Sequence, residues 1–408
     1  MEKSAIVISI YPKQGTAYDK SVGGAAHYIK QILSSLKDWR FTVLAESYGG
    51  TVEEYNEENV TIKRCWNSNS FLYWISLVKE IAKRKEKLIL INFEFNVFGG
   101  RINTLTFFFV ILSSFLLGKK IVFIQHQVVG NISDLQVHLN LSTNPIYLLF
   151  LDIGIRIYMA CCFALSTKIV VFEEVLKERA DKLLFIHPHK VAVIPHPIYS
   201  RHSEVETSNS VAGTQDEFSL LYFGFVTWYK GADWLVEKTL NENWDKNIKV
   251  HIAGGISVTA PSKNFYENFL NLVKSSQVTS HYGYVEEEDV PKHINKSDLM
   301  VLPYRVLMSS SGPLATALGY KKPFIISEVL WPYSKTQDFS DAMNEAGISK
   351  ADLVFSLNDT SFESLLHAIK SEKSKHDKIA RFVSILSEKR SLHNISNLYD
   401  QLLTENLT

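Results

Sequence analysis

The feature that most constrains this chain is an alternation of short apolar strands with helices that runs through its first half, stops at a polar segment, and begins again. In the first half the runs AIVISI, FTVLAES, LILINFEF, KIVFIQH and KIVVFEE are separated by helical periodicity near Gly24–Leu36 and Phe71–Arg84 and by a strongly apolar helix. β-Branched runs spaced by helices predict a parallel sheet, because parallel neighbours need a crossover and cannot be joined by a tight turn. The run VAVIPHPIYS closes this half at Ser200, and residues 201–217, RHSEVETSNSVAGTQDE, hold no apolar cluster and read as a linker. The pattern then restarts with FSLLYFGF, IKVHIAGG, SHYGYV, SDLMVLPY, KPFIISE and DLVFSL. The expected fold class is α/β, with one domain over residues 1–200, a second over 218–380, and parallel sheets facing a central cleft. Residues 381–408 are helical in pattern, with Ile385, Leu398, Leu402 and Leu403 in an apolar set suited to crossing back onto the first domain. At 408 residues the chain can bury two cores of ordinary size.

Charge narrows the partners. The chain has 43 Lys plus Arg against 43 Asp plus Glu, so no global basic excess points to nucleic acid. Its 3 cysteines, Cys65, Cys161 and Cys162, include an adjacent pair poorly placed for a structural disulfide, which suits a reducing, cytoplasmic setting. The apolar run Ala5–Ile10 is too short for a signal-peptide core and reads as a first strand. A second run, Thr104–Gly118, falls short of the roughly 20 apolar residues of a spanning helix. It reads as an interior helix, with partial membrane immersion as the alternative. A third, Ile146–Ser166, is interrupted by Asp152 and Arg156, which suits a packed or interfacial helix better than a span.

Several segments can carry chemistry. In YFGFVTWYKGADWLVE, Gly224 follows an apolar strand and Lys230-Gly231 precedes a helix, an arrangement suited to a diphosphate. In SSSGPLATALGYKKP, serines suited to capping precede Gly312, and Pro313 stands in a first turn, where its missing N–H costs nothing. The first domain offers Gly23-Gly24 at a helix opening, Glu94 after one strand, and His126 after the next. Residues at the carboxyl ends of parallel strands point to the ligand crevice. His187, His189 and His196 sit around a proline-containing loop with no distant matching ligand set, which reads as a turn rather than a metal site.

Taken in order, the Gly-Gly loop, EFNVFGG, QH, KIVVFEEVLKERA, VAVIPHP, YFGFVTWYKGADWL, IAGG and SDLMVLPYRVLMSSSGPLATALGYKKPFIIS resemble the retaining family 4 glycosyltransferases, the glycosyl transferases group 1, from about Ile6 to Glu328. The resemblance implies a GT-B fold of two Rossmann-like domains, with the acceptor on the first and a nucleotide sugar on the second. It also implies transfer with retention and no obligatory metal. Lys230 would then contact the donor diphosphate, with Gly23, Gly24 and Gly224 around it and His126 near the donor sugar. Tyr284 and Val285 would meet the nucleobase, Ser310, Ser311, Gly312 and Leu314 would cradle phosphate and sugar, and Glu94 would bind acceptor or shape the cleft. Lys230, His126 and Glu94 are the catalytic candidates.

The chain departs from that pattern at four places. Phe225 stands where family members carry Arg, Ser309 and Ala317 where they carry glutamates, and Pro197 where they carry glycine. The expected activity is sugar transfer to a glycan or lipid-linked acceptor in surface polysaccharide or glycolipid synthesis, with peripheral contact to the inner face of the cell membrane. The rival expectations are a catalytically inactive GT-B scaffold and a nucleotide-sugar epimerase.

Overall fold

A computed structural model describes residues 2–15, 23–48, 50–95, 97–136, 141–184, 188–198, 217–256, 263–358 and 360–407. Nearly all of the expected linker, residues 201–217, and His187 of the histidine cluster lie outside these residues. The strands of the first domain are β1 (Ser4–Ile8), β2 (Arg40–Glu46), β3 (Glu53–Glu57), β4 (Val60–Trp66), β5 (Leu88–Phe93), β6 (Lys120–Gln125), β7 (Lys168–Val171) and β8 (Val191–Val193). They form one sheet in the order β3-β4-β2-β1-β5-β6-β7-β8. Every pair is parallel except β3 with β4. The second domain holds β9 (Phe218–Phe223), β10 (Ile248–Ala253), β11 (Thr279–Gly283), β12 (Leu299–Leu302), β13 (Phe324–Ser327) and β14 (Val354–Phe355), in the all-parallel order β11-β10-β9-β12-β13-β14.

Sequence pattern explains how the central strands sit. All of β5, LILINF, is buried, and its residues divide by the two-residue period of a strand. Ile89 and Ile91 join Ile6, Ile8, Leu77, Phe107 and Ile111 on one face; Leu88 and Leu90 join Ala5, Val7, Ile29 and Leu33 on the other. Helices cover both faces, so a continuous apolar run is stable where alternation would leave polar groups buried.

The reading of the sequence passed over β3 and β4. The β3 segment, EEYNE, is mostly exposed and too acidic to announce a strand, whereas VTIKRCW of β4 does alternate buried and half-buried residues. The two make an antiparallel edge to an otherwise parallel sheet. The first apolar helix, read as interior, and the second, read as packed or interfacial, are both only partly buried. Helix Arg101–Leu116 buries Phe107, Val110 and Ile111 but exposes Ile102, Leu105 and Phe109. Helix Pro145–Ala164 buries only Leu148, Met159, Cys162 and Phe163, leaving Ile146, Leu149, Phe150, Ile153 and Ile157 exposed. It is the one described helix long and apolar enough to cross a membrane. Asp152 and Arg156, which interrupt its apolar run, pair with each other at 2.6 Å, and Arg156 also donates to the Gly130 carbonyl.

The chain returns to the first domain at Arg390, not near residue 381. Lys373–Lys389 is a single helix whose Phe382 packs on Phe324 and Phe339 of the second domain. Only the last helix, Leu392–Glu405, crosses, placing Ile395, Tyr399 and Leu403 in the first domain's core. Tyr399 and Tyr28 share a hydrogen bond through their hydroxyls, and Asp400 accepts from Trp39 Nε1 at 2.7 Å and Lys3 Nζ at 2.8 Å.

Arg390, at the junction, is fully buried between the domains. Its guanidinium donates to Glu173 Oε1 at 2.9 Å and Oε2 at 3.1 Å, and to Asp338 at 2.7 and 3.2 Å. Thr336 Oγ1 donates to Glu173 Oε2 at 2.8 Å. Removing one member of such a cluster leaves buried charge without a partner, a loss of about 3–5 kcal/mol. Arg390→Leu is therefore expected to lower the urea midpoint of unfolding strongly, with Arg390→Lys falling between it and wild type.

Candidate active site

The carboxyl ends of both sheets meet across the cleft. On the second domain, β9 runs into Gly224, which adopts φ +116°, and a side chain there would come within 2.9 Å of Pro313 Cγ and 3.4 Å of Lys230 Nζ. At the end of β10 a Cβ on Gly254 would lie 1.9 Å from the Gly224 carbonyl oxygen, so the two strand ends touch only because residue 254 is glycine. Gly224 thus lies beside both Lys230 Nζ and Pro313 in the first turn of helix Gly312–Gly319, although these segments are far apart in sequence.

Lys230 ends a single 3₁₀ turn, Trp228–Lys230, that Gly231 closes in the left-handed conformation; the helix after it, Ala232–Lys238, is short. The ammonium has no carboxylate partner among the described residues. Although it keeps an opening to the cleft, the surrounding protein removes most of its hydration and pushes its pKa down to about 8. A desolvated, unpaired cation is what an incoming diphosphate would neutralise.

The helix start opposite Lys230 is largely committed to its own structure. Ser311 is the N-cap, accepting from Leu314 N at 3.2 Å while sharing a 2.8 Å hydrogen bond with Tyr304 Oη. The Ala315 N–H goes to the Ser311 carbonyl, and Pro313 has none. Of the residues expected to cradle phosphate and sugar, Ser311 and Leu314 are thus used in capping, and the amide left over at this turn is that of Gly312. Ser310 Oγ reaches Glu173 Oε1 at 3.5 Å, which ties the turn to the interdomain cluster.

Tyr284, exposed, and half-buried Val285 follow Gly283 at the end of β11. The Tyr284 ring lies 6.4 Å from that of Phe225, tilted by 31°. Sequence reasoning registered Phe225 as a missing cation; the structure places it in an aromatic pair on the rim, suited to the face of a planar base.

On the first domain, Gly23 caps helix Gly24–Ser35, and among the described residues a Cβ on either glycine would meet nothing within 4 Å. His126 is buried. Its Nε2 lies 2.7 Å from Asn92 Oδ1, while Asn92 Nδ2 donates to Ser9 Oγ and the Ala25 carbonyl. Since the amide nitrogen is occupied as donor, Oδ1 must accept, which puts the imidazole proton on Nε2 and leaves Nδ1 as an acceptor. Burial, and then His196, push the His126 pKa down to about 3, so the ring is neutral at physiological pH. It stands edge-on to Tyr28 and Phe172.

Glu94 follows β5 at the cleft. Gln127 Nε2 donates to its Oε1 at 3.0 Å, and Gln127 itself bridges to Ser309 of the second domain. Burial pushes the Glu94 pKa up to about 7. Across the cleft, the Tyr229 phenol is raised first by burial and then by the charge of Glu94. Sequence reasoning missed Asn92, Gln127 and the Glu173–Arg390 pair; each carries its meaning through a partner remote in the chain.

Two Rossmann-like domains of this strand order, with a cleft between them, define the GT-B fold. Sucrose-phosphate synthase from Thermosynechococcus elongatus superposes over 99% of this chain and 98% of its own, with a TM-score of 0.70 and 13% sequence identity. The Anabaena protein HepE, solved with UDP and glucose, superposes over 99% and 100%, with a TM-score of 0.66 and 10% identity. Residues 217–339, the part that holds Lys230 and helix Gly312–Gly319, match the family described as glycosyl transferases group 1. Over 124 residues the chain is 28% identical to a GDP-mannose:glycolipid 4-beta-D-mannosyltransferase of Xanthomonas campestris pv. campestris, covering 30% of this chain. The match spans 33% of the length of that relative.

With Lys230 titrating near 8, nucleoside-diphosphate affinity measured by calorimetry is expected to be full below that pH and to fall as pH rises through it. Lys230→Met should weaken binding and flatten the dependence. Tyr284→Ala should weaken binding by the roughly 1–3 kcal/mol of a stacked base, with its pH dependence intact.

Proposed function

We propose that this protein is a glycosyltransferase that moves a sugar from a nucleoside-diphosphate donor to a glycan or lipid-linked acceptor. The observation that carries the reading is Lys230, a desolvated cation without a carboxylate partner among the described residues, held against the Gly312 helix start in the segment that matches a glycosyltransferase family. As the glycosidic bond breaks, negative charge accumulates on the leaving diphosphate. Lys230 and the Gly312 amide stabilise that charge more in the transition state than in the bound donor, which is the condition for catalysis.

The donor class is supported from two sides. HepE was solved with UDP and glucose, and the curated relative is named for GDP-mannose. Both are nucleoside-diphosphate chemistry, and the Phe225–Tyr284 pair suits either base. The reading needs no resident cofactor or metal. Retention rests on the resemblance alone; the relative's name specifies a β-linked product, and the cleft contains a carboxylate that a retaining route through the donor's own phosphate does not use.

A lipid-linked acceptor and peripheral attachment to the inner membrane face are supported by the exposed apolar faces of Arg101–Leu116 and Pro145–Ala164. A cavity of about 30 Å³ lies between the site and the second of these helices, lined by Phe95 and Gln127 on one side and Ile155, Met159 and Phe163 on the other. The relative is named for a glycolipid substrate. The second reading, a non-catalytic scaffold, is favoured by Phe225, Ser309 and Ala317 standing where charged groups are expected.

A thermal-shift panel of UDP, GDP, dTDP and ADP sugars separates the two, since a ligand bound only by the folded chain raises its melting temperature. One donor class should raise it and be consumed in the presence of the protein; donor binding without consumption would support the scaffold. In flotation with vesicles of phosphatidylglycerol and phosphatidylethanolamine, wild type should rise with the lipid and the double variant Leu149→Glu/Phe150→Glu should stay behind.

A further inference from the structure

Two carboxylates at the cleft, fully buried Glu173 and half-buried Glu94, are kept in opposite ways. Glu173 receives both ends of the Arg390 guanidinium and the Thr336 hydroxyl, so its oxygens are saturated and its charge is matched. Glu94 has one neutral donor, Gln127 Nε2, on Oε1. Among the described residues no lysine or arginine pairs with it, and Oε2 has no partner. A carboxylate retained for the fold would be expected to look like Glu173, because an unpaired buried charge is costly.

Its position supplies the reason. Glu94 leaves the carboxyl end of β5 in the middle of the first sheet, beside β6, whose continuation at His126 bonds back to the Phe93 carbonyl. Gln127, which holds it, bridges to Ser309, two residues before the cap of the Gly312 helix. Its charge acts on Tyr229, the neighbour of Lys230. The acid therefore stands on the first-domain wall, while the leaving-group cation and the Gly312 helix start stand on the second.

We infer that Glu94 is the general base that deprotonates the acceptor hydroxyl, so that the sugar is displaced in line and its anomeric configuration is inverted. This rests on the glycosyl-transfer reading and deepens it. In the step, the acceptor O–H proton passes to a Glu94 oxygen and the acceptor oxygen forms the new bond to the anomeric carbon. The bond from that carbon to the donor phosphate breaks, and its electron pair leaves with the diphosphate, stabilised by Lys230. The proton is then lost to solvent, restoring the carboxylate. Gln127 is a positioning residue: its amide fixes Oε1 and leaves Oε2 to the substrate.

Burial places the Glu94 pKa at about 7 and that of Lys230 at about 8. The base form of Glu94 is populated above the first and the charged form of Lys230 below the second, so the rate should be bell-shaped, rising through the first value and falling through the second. Tyr229 across the cleft stays protonated and His126 stays neutral over this range, so neither supplies a limb.

The test uses the full chain with the nucleotide sugar that stabilises it and water as acceptor, following the first-formed sugar anomer by proton NMR before mutarotation. Inversion is expected. Glu94→Gln should cut turnover about a hundredfold to ten-thousandfold, keep wild-type melting and donor affinity, and lose the acid limb of the pH profile. Glu94→Asp, which shortens but keeps the acid, should retain that limb at reduced rate and serves if the amide variant does not fold. Retained configuration, or turnover by Glu94→Gln within a few-fold of wild type, overturns the base while leaving glycosyl transfer standing. If no sugar donor is bound or consumed by wild type, the transfer reading fails and the base with it.

Discussion

The arrangement of the cleft depends on one buried guanidinium. Arg390 sits where the second domain's last helix ends and the crossing helix begins, and it reaches Glu173 at the end of the first sheet and Asp338 in the second domain. Through Thr336 and Ser310 the same carboxylate touches both the loop after β13 and the serine turn of the candidate site. Arg179 adds a second crossing by donating to the Leu307 carbonyl at 2.7 Å. The distance between the base on one wall and the cation on the other is therefore set by a charge cluster with rigid fork geometry, not by loop packing.

Much of the fold was legible because its strands are apolar on both faces and its helices intervene at regular intervals. The runs LILINF and KIVFIQ have no other stable home than the middle of a covered parallel sheet. What escaped was set at edges and junctions. The acidic EEYNE strand gains its identity only from pairing with VTIKRCW, and the crossing point at Arg390 is invisible until Lys373–Lys389 is seen to be held by Phe324 and Phe339. How the two apolar helices divide between core and surface was left open for a related reason: composition reports how apolar a helix is, while burial depends on what lies beside it.

The site was legible in its strand-end positions and less so in its chemistry. Lys230 and the Gly312 turn both border Gly224, Glu94 and His126 follow neighbouring strands of the first sheet, and Tyr284 pairs with Phe225. Their states follow from neighbours that no local motif reveals. Asn92 fixes the His126 tautomer, Gln127 holds Glu94, and Gly224 leaves the space that Lys230 and Pro313 border. Reading Phe225 as a lost cation attended to charge alone; in the structure its ring pairs with that of Tyr284.

The crossing helix also bears on how the protein is made. Tyr399, Ile395 and Leu403 fill the layer beneath Tyr28, Ile29 and Leu33, so the first domain's hydrophobic interior is closed by residues that leave the ribosome after the entire second domain. During synthesis the first sheet must wait with that face uncovered, a state prone to association with other chains. Completion of either half is thereby coupled to completion of the whole, and a prematurely ended chain would carry an open core along with whatever part of the cleft it had formed.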